Sequence, residues 1–75
     1  MHDEIRAAIQ EAATGGQKLA MFHFQVLMHA HAVATEDPTA FCRAVGVPDS
    51  YATEFRQMLA VSRVLQEQGV QLTAR

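Results

Sequence analysis

Apolar residues recur along this chain at intervals of three and four, and nowhere alternate for long enough to suggest a strand. Ile5 and Ile9, with Ala8, Ala12 and Ala13, fall on one side of a first predicted helix. Asp3 and Glu4 occupy its first turn, where carboxylates suit the positive end of the helix dipole. Thr14-Gly15-Gly16 ends it, since glycine reaches the left-handed closing conformation at little cost. A second helix is expected from about Gln17 to Ala34. It should stop before Glu36-Asp37-Pro38, where Asp37 can cap a third helix and Pro38 can take its first position. That third helix is short and ends at Gly46. Val47-Pro48-Asp49 then makes a tight connection, and a long fourth helix runs from about Ser50 to Gln68 before Gly69 closes it. The expected fold is all-α, a compact bundle of four helices in a single domain over residues 1–75. Neither repeats nor a low-complexity linker interrupt it, and the tail from Val70 to Arg75 should fray.

The second helix is unusual in being apolar on two sides. Leu19, Phe22, Val26, Ala30 and Val33 form one face; Met21, Phe24, Leu27 and Met28 form another, with Gln25 and His29 between them. One face fills the shared core with Tyr51, Phe55, Met58 and Leu65. The other, Phe24, Leu27 and Met28 with His31 beside them, has only the first helix to cover it. Left exposed it would be a contiguous apolar patch, so a homodimer through this face is expected.

Three of the four histidines lie in the same stretch, at positions 23, 29 and 31. Metal ligands on one helical turn need spacings of three or four. His29 and His31 are two apart, and His23 and His31 lie two turns apart, roughly 12 Å along the axis. Neither a metal nor another cofactor is expected. A membrane span is not expected either, because the run is short and carries three histidines and Gln25.

The informative segment is Phe41-Cys42-Arg43-Ala44-Val45-Gly46-Val47-Pro48-Asp49-Ser50-Tyr51-Ala52-Thr53-Glu54-Phe55. A helix-turn-helix packs two helices steeply across a short turn, and each position carries its own demand. Gly46 supplies the turn's backbone angle, and Val45 and Val47 anchor it. Cys42 is small enough for the second helix to cross closely, Phe41 faces the body of the domain, and Ala52 and Phe55 fall on the inward side of the second helix. On the residues "DPTAFCRAVGVPDSYATEFRQM", over about Pro38 to Gln68, the chain resembles the small bacterial helix-turn-helix-like proteins grouped as transcription regulators. The resemblance implies sequence-reading binding of double-stranded DNA by the fourth helix. Ser50, Tyr51, Thr53, Glu54 and Gln57 would then face base edges, and Arg43, Arg56 and Arg63 would meet phosphates. The arginines could instead lie on a solvated face with local pairs such as Arg63 to Glu67.

Composition narrows the classes further. The chain has 75 residues, a net charge of −2 and one cysteine, Cys42, so no disulfide can form within it. One cysteine and a non-basic start, Met1-His2-Asp3-Glu4, point to a cytoplasmic setting. Between Pro38 and Leu65, Arg43, Arg56 and Arg63 stand against Asp49 and Glu54, a net of +1. Asp49 and Glu54 would sit at the groove-facing end and repel phosphate, which counts against DNA binding. The alternative reading is a protein-interaction or assembly module that docks through the Phe24, Leu27 and Met28 face. Catalysis is not expected, because no phosphate loop or paired-carboxylate motif is present and Cys42 is explained by helix crossing.

Overall fold

The computed structural model describes residues 1–72, and every regular element among them is helical. The elements are α1 (His2–Thr14), α2 (Lys18–Met28), α3 (Ala30–Val33), α4 (Pro38–Ala44) and α5 (Ala52–Glu67), with a single 3-10 turn over Asp49–Tyr51 ahead of α5. The all-α bundle is as the periodicity predicts, with two local differences. The expected second helix is broken at His29, where the backbone takes φ −109° and ψ 15° and Ala32 N–H bonds to the His29 carbonyl three residues back. No glycine or proline lies at this break. The expected fourth helix starts two residues later than predicted, because Pro48 is extended and Asp49–Tyr51 winds as a 3-10 turn first. Of the expected frayed tail, Val70 to Leu72 has no regular structure, although Val70 N–H bonds to the Leu65 carbonyl at 2.8 Å. Residues 73–75 lie outside the described residues.

The core is built from one aromatic residue on each of three helices. Phe41 of α4 lies 4.7 Å from Phe55 of α5 and 6.1 Å from Phe22 of α2, measured between ring centroids. All three are fully buried, and each contributes about 1.5–3 kcal/mol relative to an exposed side chain. Ile5 and Ile9 of α1, Val26, Val33, Cys42, Val45, Val47 and Ala52 close around them, with Met21, Tyr51, Met58 and Leu59 packed at the margin. No polar or charged residue is buried among the described residues. Leu19, expected in the core face of α2, is instead exposed, and Met21 packs on the core in its place. Ala13 is exposed too, which leaves Ile5 and Ile9 as the bulk that α1 contributes.

Histidine–carboxylate hydrogen bonds tie the chain together at two edges. His2 Nε2 lies 2.8 Å from Glu36 Oε1, with the His2 ring edge-on to Phe41 at 5.7 Å. His23 Nε2 of α2 lies 2.6 Å from Glu54 Oε1 of α5. Further along, Leu27 and Met28 line a cavity with Leu65 and Gln66, so α2 and α5 run side by side in the same sense.

The corner between α4 and α5 is specified residue by residue. Asp37 is extended and its Oδ2 accepts from Ala40 N–H at 2.9 Å, with Pro38 at the first helical position where its missing N–H costs nothing. At the other end Val47 N–H returns to the Cys42 carbonyl at 3.0 Å and Gly46 N–H to the Arg43 carbonyl at 3.2 Å. This double closure needs a left-handed residue at its centre, and Gly46 has φ +78°. Gly46 has a second reason to lack a side chain. A Cβ there would stand 3.1 Å from Nε and 3.3 Å from Cζ of Arg6, whose guanidinium reaches over from α1.

Gly16 closes α1 with the same φ of +78° but has open space around it. Alanine at position 16 should therefore cost backbone strain alone, about 1 kcal/mol. Alanine at position 46 should cost more, because it must also move Arg6, and Gly46→Val should cost more again. Urea unfolding of the three variants measures this; equal losses for Gly16→Ala and Gly46→Ala would show that the guanidinium yields freely.

Candidate nucleic-acid interface

The corner leaves α5 with one face in the core and the opposite face in solvent. Ala52 and Phe55 are buried as spacing predicts, while Thr53, Arg56, Gln57, Ala60, Arg63 and Val64 point outward. Ser50 is exposed in the 3-10 turn. Thr53, Arg56 and Gln57 thus form a polar patch at the start of the helix, and Arg63 stands two turns further on. Tyr51 sits differently from its expected groove-facing role. It is half-buried, with its ring edge-on to Phe22 at 5.1 Å.

Both acidic residues that count against an anionic partner are tied back. Asp49 accepts two hydrogen bonds from Arg43, Nε to Oδ1 at 3.2 Å and Nη2 to Oδ2 at 2.9 Å. The pair spans the turn, joining the last turn of α4 to the residues that lead into α5. The Arg43 hydrogen bonds hold the Asp49 carboxyl below the usual carboxylate range, and Asp49 raises the Arg43 guanidinium in return. Glu54, expected to face outward, is half-buried and bonded to His23 of α2. Arg43 is therefore engaged within the chain. Among the described residues Arg6, Lys18, Arg56 and Arg63 have no carboxylate within 4 Å, and no Arg63–Glu67 pair forms.

Lys18 was not legible as part of this surface. It begins α2, more than thirty residues before α5, yet its Nζ lies 5.9 Å from the centre of the Tyr51 ring. The tyrosine thus carries a lysine to the flank of the first turn of α5, a favourable placement for a cation over an aromatic face. Nothing in the spacing of Lys18 and Tyr51 announces this, because the contact is made only when α2 and α5 pack.

Burial, and then the nearby Asp49, push the Cys42 thiol above its ordinary value, with Arg56 pulling weakly the other way. That is the reverse of an activated nucleophile. Among the described residues no three His, Cys, Asp or Glu side chains converge as metal ligands would, and no helix is long and apolar enough to cross a membrane.

The residues expected at a dimer interface divide. Phe24 is 43% exposed, Leu27 and Met28 are half-buried, and His31 is exposed. The last three line a cavity of about 280 Å³ with Leu65, Val70 and Leu72. The stretch after α5 therefore meets this face, and its cover does not come from the first helix alone. Leu19 and Phe24 on α2, and Val61 and Val64 on α5, remain the exposed large apolar side chains of the helices beyond the chain start.

A family model described as an HTH-like domain matches residues 1–68, a span that takes in all five α-helices. No curated protein and no solved structure matches the chain significantly.

The Arg43–Asp49 pair has a measurable signature. Because the folded Asp49 carboxyl is lowered, its stabilising contribution is present above the ordinary carboxylate range and is lost as pH falls through the folded value. Carboxyl titration by NMR should find Asp49 low in the parent and restored toward the ordinary range in Arg43→Ala. An Asp49 that titrates identically in both would mean the pair is not held in solution.

Proposed function

The chain belongs to the HTH-like domain family, and from that premise we propose that it is a DNA-binding transcription regulator of the cytoplasm, reading duplex DNA with α5 and carrying no catalytic activity. The observation that supports this most is electrostatic. A composition with net charge −2 argues against a polyanionic partner. At the start of α5, however, Asp49 is neutralised by Arg43 and Glu54 is held by His23, so Thr53, Arg56 and Gln57 face outward with Lys18 and Arg63 near them. Gln57 has the paired donor and acceptor that recognises adenine in the major groove, and Ser50 and Thr53 can bond either bases or phosphates. Arg56, Arg63 and Lys18 meet the backbone, while Tyr51 serves by holding Lys18 and Arg43 by setting the turn.

The same reading takes the protein as a homodimer. Phe24, 43% exposed on a helix whose neighbouring Leu27 is half-buried, favours pairing through α2, with Met28 and His31 at the edge of the contact. A twofold pair would present two copies of α5 to successive turns of the duplex. If the α2 face instead takes a different protein, the chain is an assembly module and its interaction should be nearly independent of salt.

Anisotropy with a labelled random duplex tests DNA binding directly. Three backbone-contacting cations predict a slope of log affinity against log salt of about −3 per protomer. Arg56→Ala should weaken binding on all sequences, while Gln57→Ala should relax preference at one base position. Absence of binding at micromolar protein and about 50 mM salt sinks the DNA reading.

Sedimentation decides the dimer. A dimer at about 100 μM that Phe24→Glu and Leu27→Glu both dissociate supports pairing through α2. A parent that sediments as a monomer removes it.

A further inference from the structure

We propose that His23 is a positioning residue for the DNA-facing end of α5, holding the Glu54 carboxylate toward α2 and masking its charge from the nucleic-acid backbone. The inference rests on the DNA-binding reading above and names a device that makes that reading electrostatically workable. Glu54 stands in the first turn of α5, between Thr53 and Arg56, where a free carboxylate would repel phosphate. A carboxylate in a first turn also suits the helix dipole, which gives the residue a structural reason to be there. His23 reconciles the two demands. Its Nε2 lies 2.6 Å from Glu54 Oε1, and both side chains keep 30% of their surface exposed.

Among the described residues no other charged group pairs with His23 or Glu54, and Arg56, Arg63 and Glu67 of α5 are exposed. Of the elements packed on α2, α5 supplies Glu54 as the one carboxylate within 4 Å of His23 among the described residues. On α1, Arg6 lies at Gly46, His2 is held by Glu36, and Asp3, Glu4 and Glu11 are exposed. On α2 itself Lys18 lies over Tyr51, and on α3 His31 is exposed. The carboxylate can only accept, so a neutral His23 must donate its Nε2–H. An imidazolium would donate the same bond and also cancel the charge. Masking therefore deepens as pH falls through the histidine range, and duplex affinity should rise with it.

The experiment uses the full chain and a random duplex at low salt, read by anisotropy at about pH 8 and about pH 6. His23→Leu should weaken binding roughly threefold at the lower pH. Glu54→Gln should bind at least as tightly as the parent, and the double variant should return to the Glu54→Gln level. His23→Gln keeps a donor but cannot charge, so it should lose part of the parent's gain on acidification, with the other three histidines left in place. Circular dichroism of each variant guards against unfolding, and His23→Gln carries the test if the leucine variant loses its helices. A His23→Gln protein with the parent's pH profile, or a double variant as weak as His23→Leu, overturns the inference alone. A parent that binds no duplex overturns it together with the functional reading.

Discussion

The meeting of Phe22, Phe41 and Phe55 is the contact on which the rest of this small domain depends. Each ring comes from a different helix, and Phe41 touches both of the others. A 75-residue chain with a single cysteine has no covalent brace, and such chains bury only a modest share of their surface. Three phenylalanines at one point therefore supply a large part of what holds α2, α4 and α5 in register. The corner between α4 and α5 is set by the same contact, since Phe41 and Phe55 sit on its two arms. The segment from Pro38 to Glu67 therefore shares one core with α1 and α2. Without α1 and α2, the sides of Phe41 and Phe55 that now meet Phe22, Ile5 and Ile9 would face water.

What could be read from the chain divides by the distance over which residues act. Asp37 and Pro38 start α4 through contacts within three residues, and Gly46 turns the corner through bonds to Cys42 and Arg43; both were legible because the whole interaction lies within a short window. Ala52 and Phe55 were legible from spacing alone. The break at His29 was not, as no glycine or proline marks it. Most of the site's electrostatics also lay outside the sequence signal. Lys18 reaches Tyr51, and His23 reaches Glu54, only because α2 lies along α5. Arg43 and Asp49 are the exception: opposite charges flank one short turn, and that pattern could have been found.

The contrast between formal charge and presented charge follows from these pairings. Counting Asp49 and Glu54 at full weight makes the start of α5 unattractive to phosphate. In the folded chain each acid has a specific partner, and the partners are of different kinds. Arg43 is permanently cationic and fixes the turn in doing so, whereas His23 holds its acid through a ring nitrogen. On the role proposed for His23, the surface that α5 offers is partly a constant and partly a variable of its surroundings.

The seat of Arg6 on Gly46 couples two positions forty residues apart in the chain. The glycine is required by its own backbone angle, but its bare Cα is also the floor on which a guanidinium from α1 rests. Any chain of this family that carried a side chain at the corner would need a shorter or differently directed residue on α1. The two sites should therefore vary together, and a pairing of long cation with glycine, or of small residue with a bulkier corner, would mark the same crossing of α1 over the turn in relatives with little else in common.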